Sequence, residues 1–168
     1  ERPEEAQDEI ARAQELDPLS VPITTDRGFQ LHYDGQNEQS IQQLRSALEM
    51  NATFPLAHFW LGRIYTAQGM YDQSLAEFEA VGPELLEWQP LLAARGYLYG
   101  VWGKRAQAQR VLDAFRTRAA EGKFITSYGV ALVYAGLDDM EQAFRWLERA
   151  CAERSHWLVW LRLDPRWG

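Results

Sequence analysis

Only one cysteine, Cys151, occurs among the 168 residues, which excludes an internal disulfide and any all-cysteine metal site. Histidine is almost as scarce: His32, His58 and His156 are far apart and lack ligand spacing, so they read as surface or groove residues and no metal is expected. Positive charge is the poorer sign, with 17 Lys and Arg against 24 Asp and Glu for a net charge of −7. Nucleic-acid binding is led by cations that neutralise phosphates, and no basic stripe is present, so neither nucleic acid nor an anionic membrane surface is expected as a partner. No apolar run reaches the length needed to cross a bilayer. A glycine-rich phosphate loop is also missing, since Gly82-Pro83 reads as a turn. The acidic pairs Glu4-Glu5 and Asp138-Asp139 fall at helix starts, where they complement the helix dipole. Cys151, between Ala150 and Ala152, is expected to be a packed thiol with no convergent base. No catalytic residue and no cofactor is expected, and the chain does not read as an enzyme.

What is present is ordinary globular material, 46% hydrophobic and 24% charged. A compact domain of this length buries roughly 70% of the surface of its unfolded chain. The sequence opens on Glu-rich helical residues without Met and stops at Leu163-Asp164-Pro165-Arg166-Trp167-Gly168, so a piece of a longer protein is expected. Its compartment stays open: cytoplasmic or, if the parent has a membrane span, extracytoplasmic.

The dominant signal is a repeat. Val21–Tyr33, Pro55–Gln68, Gln89–Trp102 and Phe124–Gly136 resemble one another, and their starts lie 34, 34 and 35 residues apart. The second unit is the clearest, with Leu61-Gly62, Tyr65, Gly69, Tyr71, Ser74 and Phe78. The fourth gives Val130-Ala131, Tyr134, Met140, Ala143 and Leu147, and the third Gly96, Tyr99, Gly103, Ala108 and Leu112. The first has Gly28, Leu31, Ser40, Leu44 and Ala47. A Gly, Ala or Ser in each unit lets two helix backbones approach, and no unit can bury its apolar stripe alone. Spacing puts Phe78, Leu75 and Tyr71 on one face, and Leu147, Phe144 and Ala143 on another. Asp34-Gly35, Gly69, Gly82-Pro83, Gly103 and Gly122 mark the joints. Pro22, Pro55 and Pro90 fall in first turns, and Asp139 with Gln142 resembles a capping box. Glu84–Trp88 could lengthen a helix or form a loop. Arg27 and Arg95, where an apolar residue usually precedes the glycine, either snorkel to solvent or pair with a carboxylate.

This period and these residues resemble the tetratricopeptide repeat over about nine-tenths of the chain. The fold implied is all-α, a right-handed α-solenoid of antiparallel helix pairs with about ten helices, as one domain over 1–168. Within it, 1–18 is the second helix of a partial repeat, 21–54, 55–88, 89–123 and 124–154 are repeats, and 155–168 is a capping helix and tail. Ala47-Leu48-Glu49, Ala57–Gly62, Trp146–Ala150 and Glu153–Leu158 further resemble the C-terminal repeat regions of bacterial signalling proteins. In those proteins the region follows a DNA-binding winged helix, a serine/threonine kinase or a cyclase domain. The resemblance therefore implies the sensory or regulatory part of such a parent, acting as a protein–protein interaction scaffold.

In such arrays the first helices line a concave face that accepts a peptide or protein segment. The corresponding residues are Phe29, His32, Tyr33, Phe59, Arg63, Thr66, Tyr97, Val101 and Tyr128. The alternative at each position is a ring packed against a neighbouring helix. The Lys/Asn carboxylate clamp of chaperone-binding relatives is absent, because Thr25, Phe29, Phe59 and Arg63 stand in its place. Trp157, Trp160 and Trp167 read either as a cap over the last unit or as a self-association surface, giving a monomer or a weak homodimer.

Overall fold

The computed structural model describes residues 3–167; residues 1–2 and 168, the extremities of the partial repeat and of the tail, lie outside the described residues. So does the side chain of Glu4 in the first acidic pair. The described residues form nine α-helices, three 3₁₀ helices and no strand. They fall into two compact units that meet in sequence at Gly82-Pro83. Unit 1 holds α1 (Pro3–Leu16), α2 (Val21–Tyr33), α3 (Asn37–Met50), α4 (Pro55–Ala67) and α5 (Tyr71–Ala80). Unit 2 holds a 3₁₀ turn at Pro83–Leu85, then α6 (Gln89–Val101), α7 (Arg105–Ala120), α8 (Ser127–Gly136) and α9 (Met140–Ala152), and 3₁₀ helices at His156–Trp160 and Pro165–Trp167. In each unit successive helices pair: α2 with α3 and α4 with α5, then α6 with α7 and α8 with α9. No helix among the described residues is long and apolar enough to cross a membrane.

Helix starts follow the local sequence. Pro22, Pro55 and Pro90 sit at the first or second helical position, where the missing N–H removes no intrahelical bond. Thr126 accepts a hydrogen bond from the Gly129 amide at 3.2 Å, and Asp139 accepts one from the Gln142 amide at 3.1 Å. Only this forward arm of the expected capping box forms, because the Asp139 amide donates to the Tyr134 carbonyl at 3.0 Å.

Helix ends repeat one device. Met70 N–H donates to Tyr65 O, and Lys104 N–H to Tyr99 O, each closing a turn around a left-handed residue. Gly69 and Gly103 supply that residue with φ of 74° and 77°; Asp138, with φ 61°, takes the equivalent place after α8. A side chain in the left-handed region is strained, so Asp138 carries a local cost that glycine lacks.

Packing begins at the small residues. Ser40 Oγ donates to the Gly28 carbonyl at 2.5 Å, and Ser74 Oγ to the Gly62 carbonyl at 2.7 Å, so the second helix of each pair is pinned to the first at its closest approach. A methyl at Gly62 would stand 2.5 Å from two Phe78 ring carbons, and one at Gly28 2.6 Å from Leu44 Cγ. Unit 2 has a tighter contact, between backbones: a methyl at Gly100 would lie 2.4 Å from the Gly136 carbonyl carbon, and one at Gly136 2.6 Å from the Tyr97 carbonyl oxygen. Cores form around these approaches, with Leu44, Ala57, Leu61 and Ile64 buried in unit 1, and Leu112, Phe115, Val130 and Val133 in unit 2.

Three local expectations differ from the structure. Ser155–Leu163 is not a tenth α-helix but a 3₁₀ helix at His156–Trp160. Arg154 is left-handed at φ 53° and ends α9, and Pro165 blocks helix soon after. In a 3₁₀ helix residues three apart eclipse, which brings Leu158 and Leu161 onto the same core cluster. Phe144 is 57% exposed, because the buried stripe of α9 runs through Ala143, Leu147 and Ala150. Cys151 is likewise exposed, since Ala150 beside it takes the inward place. Of the two forms open to Glu84–Trp88, the structure takes the turn.

Two stability outcomes follow. Gly100→Ala should lower the unfolding free energy by about 2 kcal/mol, because backbone cannot step aside as a side chain can. Asp138→Gly should raise it by about 0.5–1 kcal/mol through relief of the left-handed strain. Urea denaturation of the two variants beside wild type measures both; a neutral Gly100→Ala or a destabilising Asp138→Gly would contradict the packing described.

Candidate functional site

The first helix of each pair has two faces, set by position relative to its small residue. Three residues before and four after it, a side chain points the same way as the small residue and meets the pair's second helix. In unit 1 these are Thr25 and His32 around Gly28, and Phe59 and Thr66 around Gly62, and all four are buried. Thr66 Oγ1 lies 2.7 Å from Ser74 Oγ and donates to the Gly62 carbonyl at 2.9 Å. His32 Nδ1 pairs with Asn37 Oδ1 at 2.9 Å. Phe59 faces the Phe78 ring at a centroid distance of 6.2 Å. Of the residues expected to line a groove, His32, Phe59 and Thr66 are thus built into the helix pairs. So is Tyr128 in unit 2, which is 3% exposed.

The other face of α2 and α4 carries Phe29, Tyr33, Trp60 and Arg63. Phe29 lies against Trp60 with centroids 4.4 Å apart and meets Tyr33 edge-on at 4.9 Å. Tyr33 stands edge-on to Trp60 at 6.0 Å. Arg63 lays its guanidinium over the Trp60 ring, 4.5 Å from the centroid, and over Tyr33 at 5.5 Å, and Nη1 donates to the Tyr33 hydroxyl at 3.2 Å. A planar guanidinium held between ring faces is fixed in orientation, and the rings gain electrostatic attraction from it. Phe29, Tyr33 and Trp60 are half-buried, with Arg63 itself 6% exposed among them. The structure brings Phe29, Tyr33 and Arg63 together with Trp60, which is absent from the expected lining residues. The signal for Trp60 was available: it precedes Arg63 by three residues and so shares its face.

On α6 the matching face holds half-buried Tyr97 and, one turn on, exposed Val101. Here the chain places a segment of its own. Asp164, 4% exposed, accepts at Oδ2 from the Tyr128 hydroxyl at 2.9 Å. Its Oδ1 accepts from the Arg166 amide at 3.1 Å and from Arg166 Nε at 2.8 Å. Trp167 Nε1 donates to the Tyr128 oxygen at 3.0 Å, and the Arg166 guanidinium lies 6.0 Å from the Tyr97 ring centroid. Burial, reinforced by the Asp164 charge, raises the Tyr128 pKa far above the usual phenol range, so the hydroxyl stays a donor. Trp157 and Trp167, with Leu158 and Leu161, pack on the cluster of Tyr128, Ala131, Leu132, Leu147 and Ala150, as a cap would.

The remaining polar residues do structural work. His58 Nδ1 meets Glu77 at 2.6 Å and Nε2 meets the Ala52 carbonyl at 3.0 Å, tying α4 to α5 and to the preceding turn. Arg95 reaches the Tyr99 hydroxyl at 3.4 Å. Gln89 accepts from the Thr126 amide at 2.6 Å and donates to the Phe124 carbonyl at 3.0 Å, clamping the turn into α8. Among the described residues no group of three His, Cys, Asp or Glu side chains is placed to hold a metal ion.

Residues 28–69 match the family model described as TPR repeat. The match spans the second half of α2 from Gly28, the whole of α3 and the whole of α4 with Gly62. No curated protein matches the chain significantly. Tetratricopeptide repeats form a non-catalytic fold that mediates protein–protein interaction. Residues 28–69 thus carry a tetratricopeptide repeat, and the same small-residue register continues to Gly96 and Ala131 in helices of the same kind, which supports a tetratricopeptide-repeat fold for the described residues.

Proposed function

We propose that the domain binds a peptide or protein segment over Phe29, Tyr33, Trp60 and Arg63 in unit 1, and that it is the sensory or regulatory part of a larger bacterial signalling protein. The observation that carries the binding site is the gathering of three half-buried rings around one guanidinium on a single face of α2 and α4. Rigid rings offer contact area at low entropic cost, and aromatic and arginine side chains are the usual anchors of an interface. The signalling role is supported by the likeness of Trp146–Ala150 and Glu153–Leu158 to the repeat regions of such regulators.

Selection of displayed peptides against the domain tests the site. Selected peptides should lose at least tenfold in affinity for Phe29→Ala, with the far-ultraviolet circular dichroism unchanged, because an anchor ring contributes about 1.4 kcal/mol or more. Peptides indifferent to both Phe29→Ala and Arg63→Lys would contradict the proposal.

A further inference from the structure

The segment 163–167 is held on unit 2 differently from the helices around it. The helices of unit 2 pack mainly through apolar side chains and close backbone approach, whereas this segment meets α8 through a buried carboxylate and an indole N–H that converge on one hydroxyl. A buried carboxylate is costly unless its oxygens are fully bonded. Asp164 meets that demand largely from within: the amide and the guanidinium of Arg166 both donate to it. The segment is therefore a self-contained turn, with its carboxylate already folded around by Pro165–Trp167. It presents two groups to the helix, the second Asp164 oxygen and the Trp167 indole, and both are read by one atom, the Tyr128 hydroxyl. The Tyr128 and Tyr97 rings receive the Trp167 ring at 6.1 Å and the Arg166 guanidinium at 6.0 Å. A few directional bonds and two ring contacts to a preformed turn are the features of a bound ligand.

We propose that the face formed by Tyr97 and Tyr128 on α6 and α8 is a peptide-docking surface that the chain's own segment 163–167 fills as a displaceable ligand. The partner that takes its place carries the same chemistry: a carboxylate followed within three residues by an arginine and a tryptophan-like ring. A tethered segment sees its site at an effective concentration of about millimolar, so even a weak site is occupied in cis and a partner must exceed that to enter. This proposal rests on unit 2 alone and stands or falls separately from the α2/α4 site.

The test uses the full chain and a synthetic peptide of residues 161–167, blocked at both ends so that no terminal carboxylate confounds it. Nitrogen-15 spectra follow the α6 and α8 amides during titration to millimolar peptide. Asp164→Ala, which loosens the internal segment, should bind the peptide saturably and at least tenfold more tightly than wild type. Adding Tyr128→Phe should weaken that binding at least fivefold, because the shared hydroxyl is gone. A folded Asp164→Ala chain with no saturable shifts, or equal binding by wild type and variant, would overturn the proposal. If Asp164→Ala does not fold, hydrogen exchange of the wild-type chain decides. Amides of 163–167 should open well before those of α6 and α8; exchange of all three only through global unfolding would show an inseparable cap and overturn it.

Discussion

Everything in this domain depends on how closely two helix backbones can approach at one residue per pair. Gly62 is the clearest case: the Phe78 ring sits where a β-carbon would be, and Ser74 donates to the carbonyl of the same glycine. The ring supplies the buried apolar area and the hydroxyl fixes the register, so one small residue permits both. Gly28 repeats the arrangement with Leu44 and Ser40. In unit 2 the serine is replaced by Ala108 and Ala143, both buried, and a closer backbone approach joins the first helices of neighbouring pairs, where Gly100 of α6 meets Gly136 of α8. Unit 1 thus fixes its helix pairs with hydroxyl-to-carbonyl bonds, and unit 2 adds a bare backbone contact between pairs.

That constraint also decides which side chains are available for binding. Once the small residue faces its partner helix, residues three before and four after must face it too, and residues one and five after it turn away. Phe29 and Tyr33, Arg63, and Tyr97 with Val101 occupy the outward positions. The two units then use them differently. In unit 1 the outward rings close around an arginine of the same face. In unit 2 they receive Arg166 and Trp167 from a later part of the chain. Arg63 and Tyr97 hold the same register, 34 residues apart, so one position supplies the cation in the first unit and the ring beneath a cation in the second.

The period, the glycine joints, the proline starts and the Asp139 cap were all legible in the sequence, because each is a local backbone requirement recurring at a constant interval. The sorting of groove from core was only partly so. Phe59 and Tyr128 look like lining when hydrophobicity alone is weighed, yet Phe59 lies three residues before its small residue and is buried against Phe78, while Tyr128 in the same register is covered further by Asp164 and Trp167. That rule was available and would have placed His32 and Thr66 inward as well. Trp60 could have been found in the same way. The return of segment 163–167 onto α8 could not: its partners Tyr128 and Asp164 are 36 residues apart, and no periodic pattern links them. Nor did the sequence show the 3₁₀ form of His156–Trp160, which depends on Arg154 adopting a left-handed conformation that side chains ordinarily avoid.

The small residue and the ring above it act as one unit. A double-mutant cycle of Gly62→Ala and Phe78→Leu, read by urea denaturation, measures this directly. If the ring fills the space of the missing β-carbon, Gly62→Ala should cost at least about 1 kcal/mol less in the Phe78→Leu background than in wild type. Strict additivity of the two substitutions would mean that they act independently, and the packing account of the repeat would be wrong.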